Sequence, residues 1–158
     1  MGFNLPGPQV NLTPNQHYII YAAHSNGINC IDVAQDMMNF GNLIVYQFHG
    51  APNQRFVFEK EGLNYRIKSV ASGKYVRVTN DDQHDNVWIR TDDKGSKSEL
   101  WTIVPATSPQ YAGKKAYHIK SVFNKALETP QGKLDNSTKI QQGTFNGSEG
   151  QTWIIKEI

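Results

Sequence analysis

The sequence predicts an all-β domain built from three pseudo-symmetric repeats. Two sets of landmarks recur along the chain, and the residues between them alternate apolar and polar. Tyr18-Ile19-Ile20-Tyr21, Tyr65-Arg66-Ile67-Lys68-Ser69-Val70 and Tyr117-His118-Ile119-Lys120-Ser121-Val122 each open a segment. Asn53-Gln54-Arg55-Phe56-Val57-Phe58, Ser98-Glu99-Leu100-Trp101-Thr102-Ile103 and Gly150-Gln151-Thr152-Trp153-Ile154-Ile155 each close one. The opening tyrosines lie 47 and 52 residues apart, and Phe56, Trp101 and Trp153 lie 45 and 52 apart. Self-similarity at such a period is the signature of a repeat architecture.

Within a repeat, Tyr65, Ile67 and Ser69 point one way and Arg66 and Lys68 the other, the alternation of a half-buried strand. A second strand is predicted over 29–33, 74–78 and 125–129, and a third over 43–46, 86–90 and 138–142. The fourth carries the closing aromatic, which makes twelve short strands. No amphipathic helix of ordinary length is predicted; the stretch from Val33 to Phe40 is short and ends at Gly41. A unit of about fifty residues cannot bury its own apolar face, so the three must close around one core. The architecture that satisfies this is a β-trefoil, a six-stranded barrel capped by three hairpins. The repeats are expected at about 17–60, 61–106 and 115–158 of a single domain, 1–158, after an N-terminal extension, 1–16. Phe56, Trp101 and Trp153 should meet in the shared core, as should Tyr18, Tyr65 and Tyr117 or the residues after them. A seven-stranded sandwich lacks the threefold period.

Composition agrees with this reading. At 158 residues the chain fits one domain, and 38% hydrophobic residues suffice for a core. Charged residues are only 19%, whereas 14 Asn and 11 Gln supply much of the polarity. A formal net charge of +2 disfavours nucleic acid as a partner. The first residues lack the basic cluster and apolar run of a signal peptide, and Pro6 stands where a myristoylation motif needs Ser or Thr. No stretch is long and apolar enough for a membrane span, so no membrane insertion is expected. The lone Cys30 suits a reducing compartment, and a cytoplasmic or non-classically secreted protein is expected. Without a secretory route, the glycosylation triplets beginning at Asn136 and Asn146 carry little weight.

The chain resembles the ricin B-type lectin family over about residues 17–158. The hallmark is a threefold Gln-x-Trp repeat, present as Gln151-Thr152-Trp153, as Gln54-Arg55-Phe56 with Phe for Trp, and as Glu99-Leu100-Trp101 with Glu for Gln. The resemblance implies that the aromatics build the core while the Gln side chains satisfy nearby backbone groups. It also implies the chemistry of a sugar site. An Asp on the second strand accepts hydrogen bonds from adjacent hydroxyls, an outward aromatic on the third strand stacks on the sugar, and an Asn before Gln-x-Trp completes the grip.

The first repeat comes closest to that pattern, through Cys30-Ile31-Asp32-Val33 and Asn53-Gln54. Val45 is expected where many members have Gln, and Gln47 near the stacking position, with Phe48 or His49 as a substitute platform. The candidate carbohydrate site is therefore Asp32, Gln47, Phe48, His49, Asn53 and Gln54; the competing reading is an ordinary loop capped by Asp32. In the second repeat Arg77, Ser98 and Glu99 replace the polar set, beside Trp88 and Arg90. In the third, Glu128, Gln141 and Gln151 form a secondary candidate, but Gly143 stands for the aromatic and Gly150 for Asn. The function these features imply is a lectin for galactose or N-acetylgalactosamine-type glycans and glycoproteins, with a possible homodimer supplying avidity.

Catalysis finds little support. His17, His24, His49, His84 and His118 show no metal-ligand spacing, and no phosphate loop or Gly-x-Ser-x-Gly occurs, so neither metal nor cofactor is expected. Cys30 reads as a small buried hydrophobe. Asp81-Asp82, Asp85 and Asp92-Asp93 lack calcium-loop spacing. Two alternatives stay open: a trefoil protease inhibitor acting through exposed loops, with Lys60, Arg90, Lys114 or Lys115 as a basic anchor, and an interaction module that has lost sugar binding.

Overall fold

The computed structural model describes residues 10–158, and the expectations that concern residues 1–9 lie outside them. The first repeat comprises β1 (Tyr18–Ala22), β2 (Asn29–Val33), β3 (Leu43–Gln47) and β4 (Phe56–Glu61). The second comprises β5 (Asn64–Ser69), β6 (Tyr75–Val78), β7 (Val87–Asp92) and β8 (Leu100–Pro105). The third comprises β9 (Ala116–Lys120), β10 (Lys125–Glu128), β11 (Thr138–Lys139), β12 (Gln141–Thr144) and β13 (Trp153–Glu157). Only short 3-10 turns join them among the described residues, and no helix there is long and apolar enough to cross a membrane.

The barrel closes in the order β1-β4-β5-β8-β9-β13 and back to β1, all antiparallel. Each opening tyrosine pairs with the closing aromatic of its own repeat: Tyr18 with Phe56, Tyr65 with Trp101, and Tyr117 with Trp153. Phe56, Trp101 and Trp153 are fully buried in one cluster with Ile20, Ile67 and Ile119. The Trp101 indole N–H donates to Val76 O and that of Trp153 to Leu127 O, each at 2.9 Å, so each closing ring also anchors its second strand. Phe56 fills the equivalent space without such a donor.

Hairpins β2–β3, β6–β7 and β10–β12 cap the barrel. The described residues form thirteen strands where twelve are predicted, because the third repeat's third strand changes partner midway. Its first half pairs with β3 and its second with β7. Between them, Ile140 N donates to Leu43 O and Ile89 N donates to Ile140 O, both at 3.0 Å. Leu43, Ile89 and Ile140, one from each repeat and all buried, thus meet where the three hairpins converge.

At the opposite end the N-terminal segment packs Val10 and Leu12 against the core. Thr13 N donates to the Tyr18 hydroxyl at 2.8 Å, and the Tyr65 hydroxyl donates to Val10 O at 3.0 Å. Tyr18 and Tyr65 are buried, whereas in the third repeat Tyr117 is half-buried and the residue after it, His118, is the buried one.

Candidate functional site

Asp32 lies on β2 with its side chain almost wholly buried. Its two oxygens are held by neighbouring amides: Asn53 Nδ2 donates to Oδ1 at 3.0 Å and Gln54 Nε2 to Oδ2 at 2.8 Å. Asn53 also donates to Val33 O (3.2 Å) and Gln54 to Gln47 O (3.0 Å). Gln54 Oε1 accepts from the backbone N–H groups of His49 (2.9 Å) and Gly50 (3.1 Å), so one amide ties the β3–β4 turn to the carboxylate. The 3-10 turn Pro52–Gln54 presents both amides on one side. Burial raises the Asp32 carboxyl above its ordinary value, against the opposing pull of Gln54, His49 and Asn53.

His49 covers the carboxylate, with Nε2 at 3.6 Å from Asp32 Oδ2. Ala51 N donates to His49 Nδ1 at 3.1 Å, which makes Nδ1 the acceptor and places the ring proton on Nε2, facing the carboxylate. The imidazole also meets Tyr46 edge-on, with centroids 6.1 Å apart.

The register corrects the expected platform. Asp32 pairs with Ile44, Ile31 with Val45 and Cys30 with Tyr46. Side chains alternate across a strand, so Ile44 and Tyr46 share the face of Asp32 while Val45 points into the core, where it is fully buried. Tyr46, half-buried on the third strand, is therefore the ring beside the carboxylate, and Gln47 faces away, exposed. Gln47 contributes its backbone: its carbonyl accepts from Gln54, and its N–H donates to Asn136 Oδ1 at 2.9 Å. Phe48 leaves the site as well, packing against Tyr21 with centroids 5.5 Å apart. The sequence holds no signal for Tyr46, because the register decides whether even- or odd-numbered third-strand positions face Asp32.

The third repeat reproduces the Gln cage around a longer acid. Gln151 Nε2 donates to Glu128 Oε1 (2.7 Å) and Thr144 O (2.9 Å), while its Oε1 accepts from Asn146 N (2.9 Å) and Gly147 N (3.2 Å). Gln141 Nε2 donates to Glu128 Oε2 at 2.8 Å. Glu128 occupies the space where a ring would stand: a Cβ on Gly143 would lie 2.2 Å from its Oε2. A cleft of about 440 Å³ opens beside Glu128, lined also by Gln131, Asn146 and Glu149. In the second repeat Glu99 turns away from the second strand, accepting from Gly95 N (3.0 Å) and Arg66 Nε (3.1 Å), while Arg77 pairs with Asp81 at 3.1 Å and Asp92 at 3.6 Å. That site carries no sugar-type constellation.

Residues 52–112 match the family described as ricin-type β-trefoil lectin domain-like. No curated protein matches the chain significantly. Among solved structures, the chain is similar to a designed threefold symmetric protein, ThreeFoil, at 22% identity and a TM-score of 0.78, covering 90% of this chain and 99% of that one. It is similar to the Macrolepiota procera ricin B-like lectin, solved in complex with lactose, at 22% identity and a TM-score of 0.76, over 94% of this chain and 100% of that one. The Rhizoctonia solani agglutinin aligns at 17% identity and a TM-score of 0.74, over 96% of this chain and 100% of that one. The chain thus has the β-trefoil fold throughout its described length, and its central segment, residues 52–112, matches the ricin-type β-trefoil lectin domain-like family.

Proposed function

We propose that the chain is a carbohydrate-binding protein that takes galactose or N-acetylgalactosamine-type glycans at the first repeat. The observation that carries this reading is the buried Asp32, fixed by Asn53 and Gln54 beside the Tyr46 ring. A carboxylate held rigidly at both oxygens offers its remaining lone pairs at fixed positions, suited to accept from adjacent hydroxyls that displace His49. Tyr46 supplies a face for the sugar's C–H groups. A hydroxyl that replaces His49 Nε2 at Oδ2 inherits a partly desolvated acceptor, where a hydrogen bond is stronger than in water. The site's one carboxylate is bonded to two amides and lies beside the His49 imidazole. The lactose complex of the Macrolepiota lectin, on the same fold, supports sugar as the ligand class.

The third repeat merits a second, weaker reading as a polar subsite, because the cleft beside Glu128 is open although no ring faces it. The protease-inhibitor and interaction-module alternatives predict no retention on sugar. The test is retention on immobilised galactose with elution by free galactose, alongside trypsin and cysteine-protease inhibition. Asp32→Ala is expected to lower affinity at least ~100-fold, the loss of two hydrogen bonds to a charged acceptor. Tyr46→Ala should cost about three- to tenfold. Unchanged retention by Asp32→Ala, or protease inhibition without sugar binding, overturns the assignment.

A further inference from the structure

A second site lies on the barrel wall, outside the hairpins. Two adjoining concavities of about 410 and 450 Å³ share Lys114, Ile154 and Lys156. Lys115 lines the second and Tyr21 the first, with the Asn26-Gly27 turn at its rim. Lys115 and Lys156 lie 41 residues apart in sequence, yet the fold brings their segments together because β1 pairs with β13 and Ile155 N donates to Lys115 O at 3.1 Å. All three lysines are exposed, and none forms an ion pair among the described residues. Glu157, the one carboxylate on the wall, pairs with none of them. Three lysines against one carboxylate in the lining make this a local excess of positive charge on a nearly neutral molecule.

We infer that this cleft binds the acidic group of an anionic saccharide, a sulfate or a uronic carboxylate, independently of the Asp32 site. Converging ammonium groups in a concavity attract an anion more than isolated ones do, since their fields add. The rest of the lining selects a sugar over a bare ion. Tyr21 and Ile154 are neighbours in the β1–β13 register and offer a half-buried aromatic and aliphatic wall to an apolar sugar face. Asn26 adds an amide that can bond hydroxyls. Nucleic acid fits less well: the cleft holds three charges and no arginine, too few for a tracked backbone.

Across the strands the register runs Ile154, Tyr21, Cys30, Tyr46. Three strand spacings of ~4.8 Å put the cleft within about 14 Å of the proposed galactose ring platform. An extended acidic glycan can therefore reach both.

The experiment is NMR titration of the whole chain with a sulfated uronic disaccharide, its desulfated counterpart, lactose, and a ten-nucleotide single strand. Both acidic disaccharides are expected to shift the amides of Lys114, Lys115, Lys156 and Tyr21, the sulfated one at lower concentration if sulfate is the preferred group. The double variant Lys114→Gln/Lys156→Gln should bind the better acidic disaccharide about tenfold more weakly at low salt. It should also lose the weakening that wild type shows on raising salt, while lactose binding stays unchanged. Asp32→Ala separates the two sites: it should lose lactose and keep the short acidic ligand. Acidic disaccharides that leave these amides unmoved, a double variant with wild-type affinity, or an oligonucleotide that binds the cleft more tightly than either disaccharide would each overturn the proposal.

Discussion

Asp32 is costly to bury and is kept buried by amides, and this gives it a measurable pH signature. Its folded pKa is raised, chiefly by desolvation, above the ~3.9 of an unfolded Asp. Its stabilising contribution is therefore full below about pH 4 and is lost as pH rises through the folded value. Asp81 runs the other way: burial is outweighed by hydrogen bonds from Ser98 and by the Arg77 and Lys97 charges, so its pKa is lowered. That contribution is full above about pH 4 and is lost on acidification. Urea unfolding at a series of pH values should show that Asp32→Ala removes a component that falls with rising pH, and that Asp81→Asn removes one that rises. Binding tests the same group, because only the ionised carboxylate accepts from two hydroxyls. Galactose affinity should fall as pH drops through the raised Asp32 pKa. Next to it, Cys30 is fully buried and its thiol is pushed up to about 12 by burial and then by the Asp32 charge. A disulfide reagent at pH 8 should modify it only as fast as the protein opens.

The Gln-x-Trp element works as a unit of three connections. The amide oxygen gathers two backbone N–H groups of the preceding turn, the amide nitrogen bonds the acid on the second strand, and the ring two residues on enters the core. Gln54 and Gln151 each make all four polar bonds and are fully buried. Gln151→Ala leaves two turn N–H groups and a carbonyl without their partner, and should destabilise by about 2–3 kcal/mol in denaturant unfolding. Asp32→Ala should cost less, about 1–2 kcal/mol, because Asn53 and Gln54 keep second acceptors at Val33 O and Gln47 O. The contrast separates a structural amide from the carboxylate of the proposed sugar site. The equivalent places of Gln54 and Gln151 were legible in the sequence from spacing, and their backbone-satisfying role from the family resemblance. The side each third-strand residue faces was not, since a shift of one residue exchanges Val45 and Gln47 for Ile44 and Tyr46.

At the scale of the molecule, stability belongs to the assembled three repeats. The barrel interior takes Phe56, Trp101 and Trp153 from different repeats, and the hairpin cap takes Leu43, Ile89 and Ile140. No repeat holds enough apolar area to fold alone. Residues 17–61 expressed alone should show an unfolded far-ultraviolet circular dichroism spectrum, whereas the whole chain should unfold in one cooperative transition. Trp153→Ala, which opens a cavity in the shared core, should cost about 3–5 kcal/mol. The sequence by itself determined the threefold period, the four-strand unit and the aromatic that closes each repeat. These are written in local spacing and alternation, which a linear chain displays directly. The resemblance to the ricin B-type family, rather than any recurrence along the chain, marked Asp32, Asn53 and Gln54 as a set, since Arg77, Ser98 and Glu99 stand at those places in the second repeat. The tertiary structure alone decided that Tyr46 flanks Asp32, that His49 covers it, that the third repeat's third strand divides at Ile140, and that Lys114 and Lys156 share a cleft. Each of those depends on strand register or on pairing between distant segments, and register is fixed only when the barrel closes.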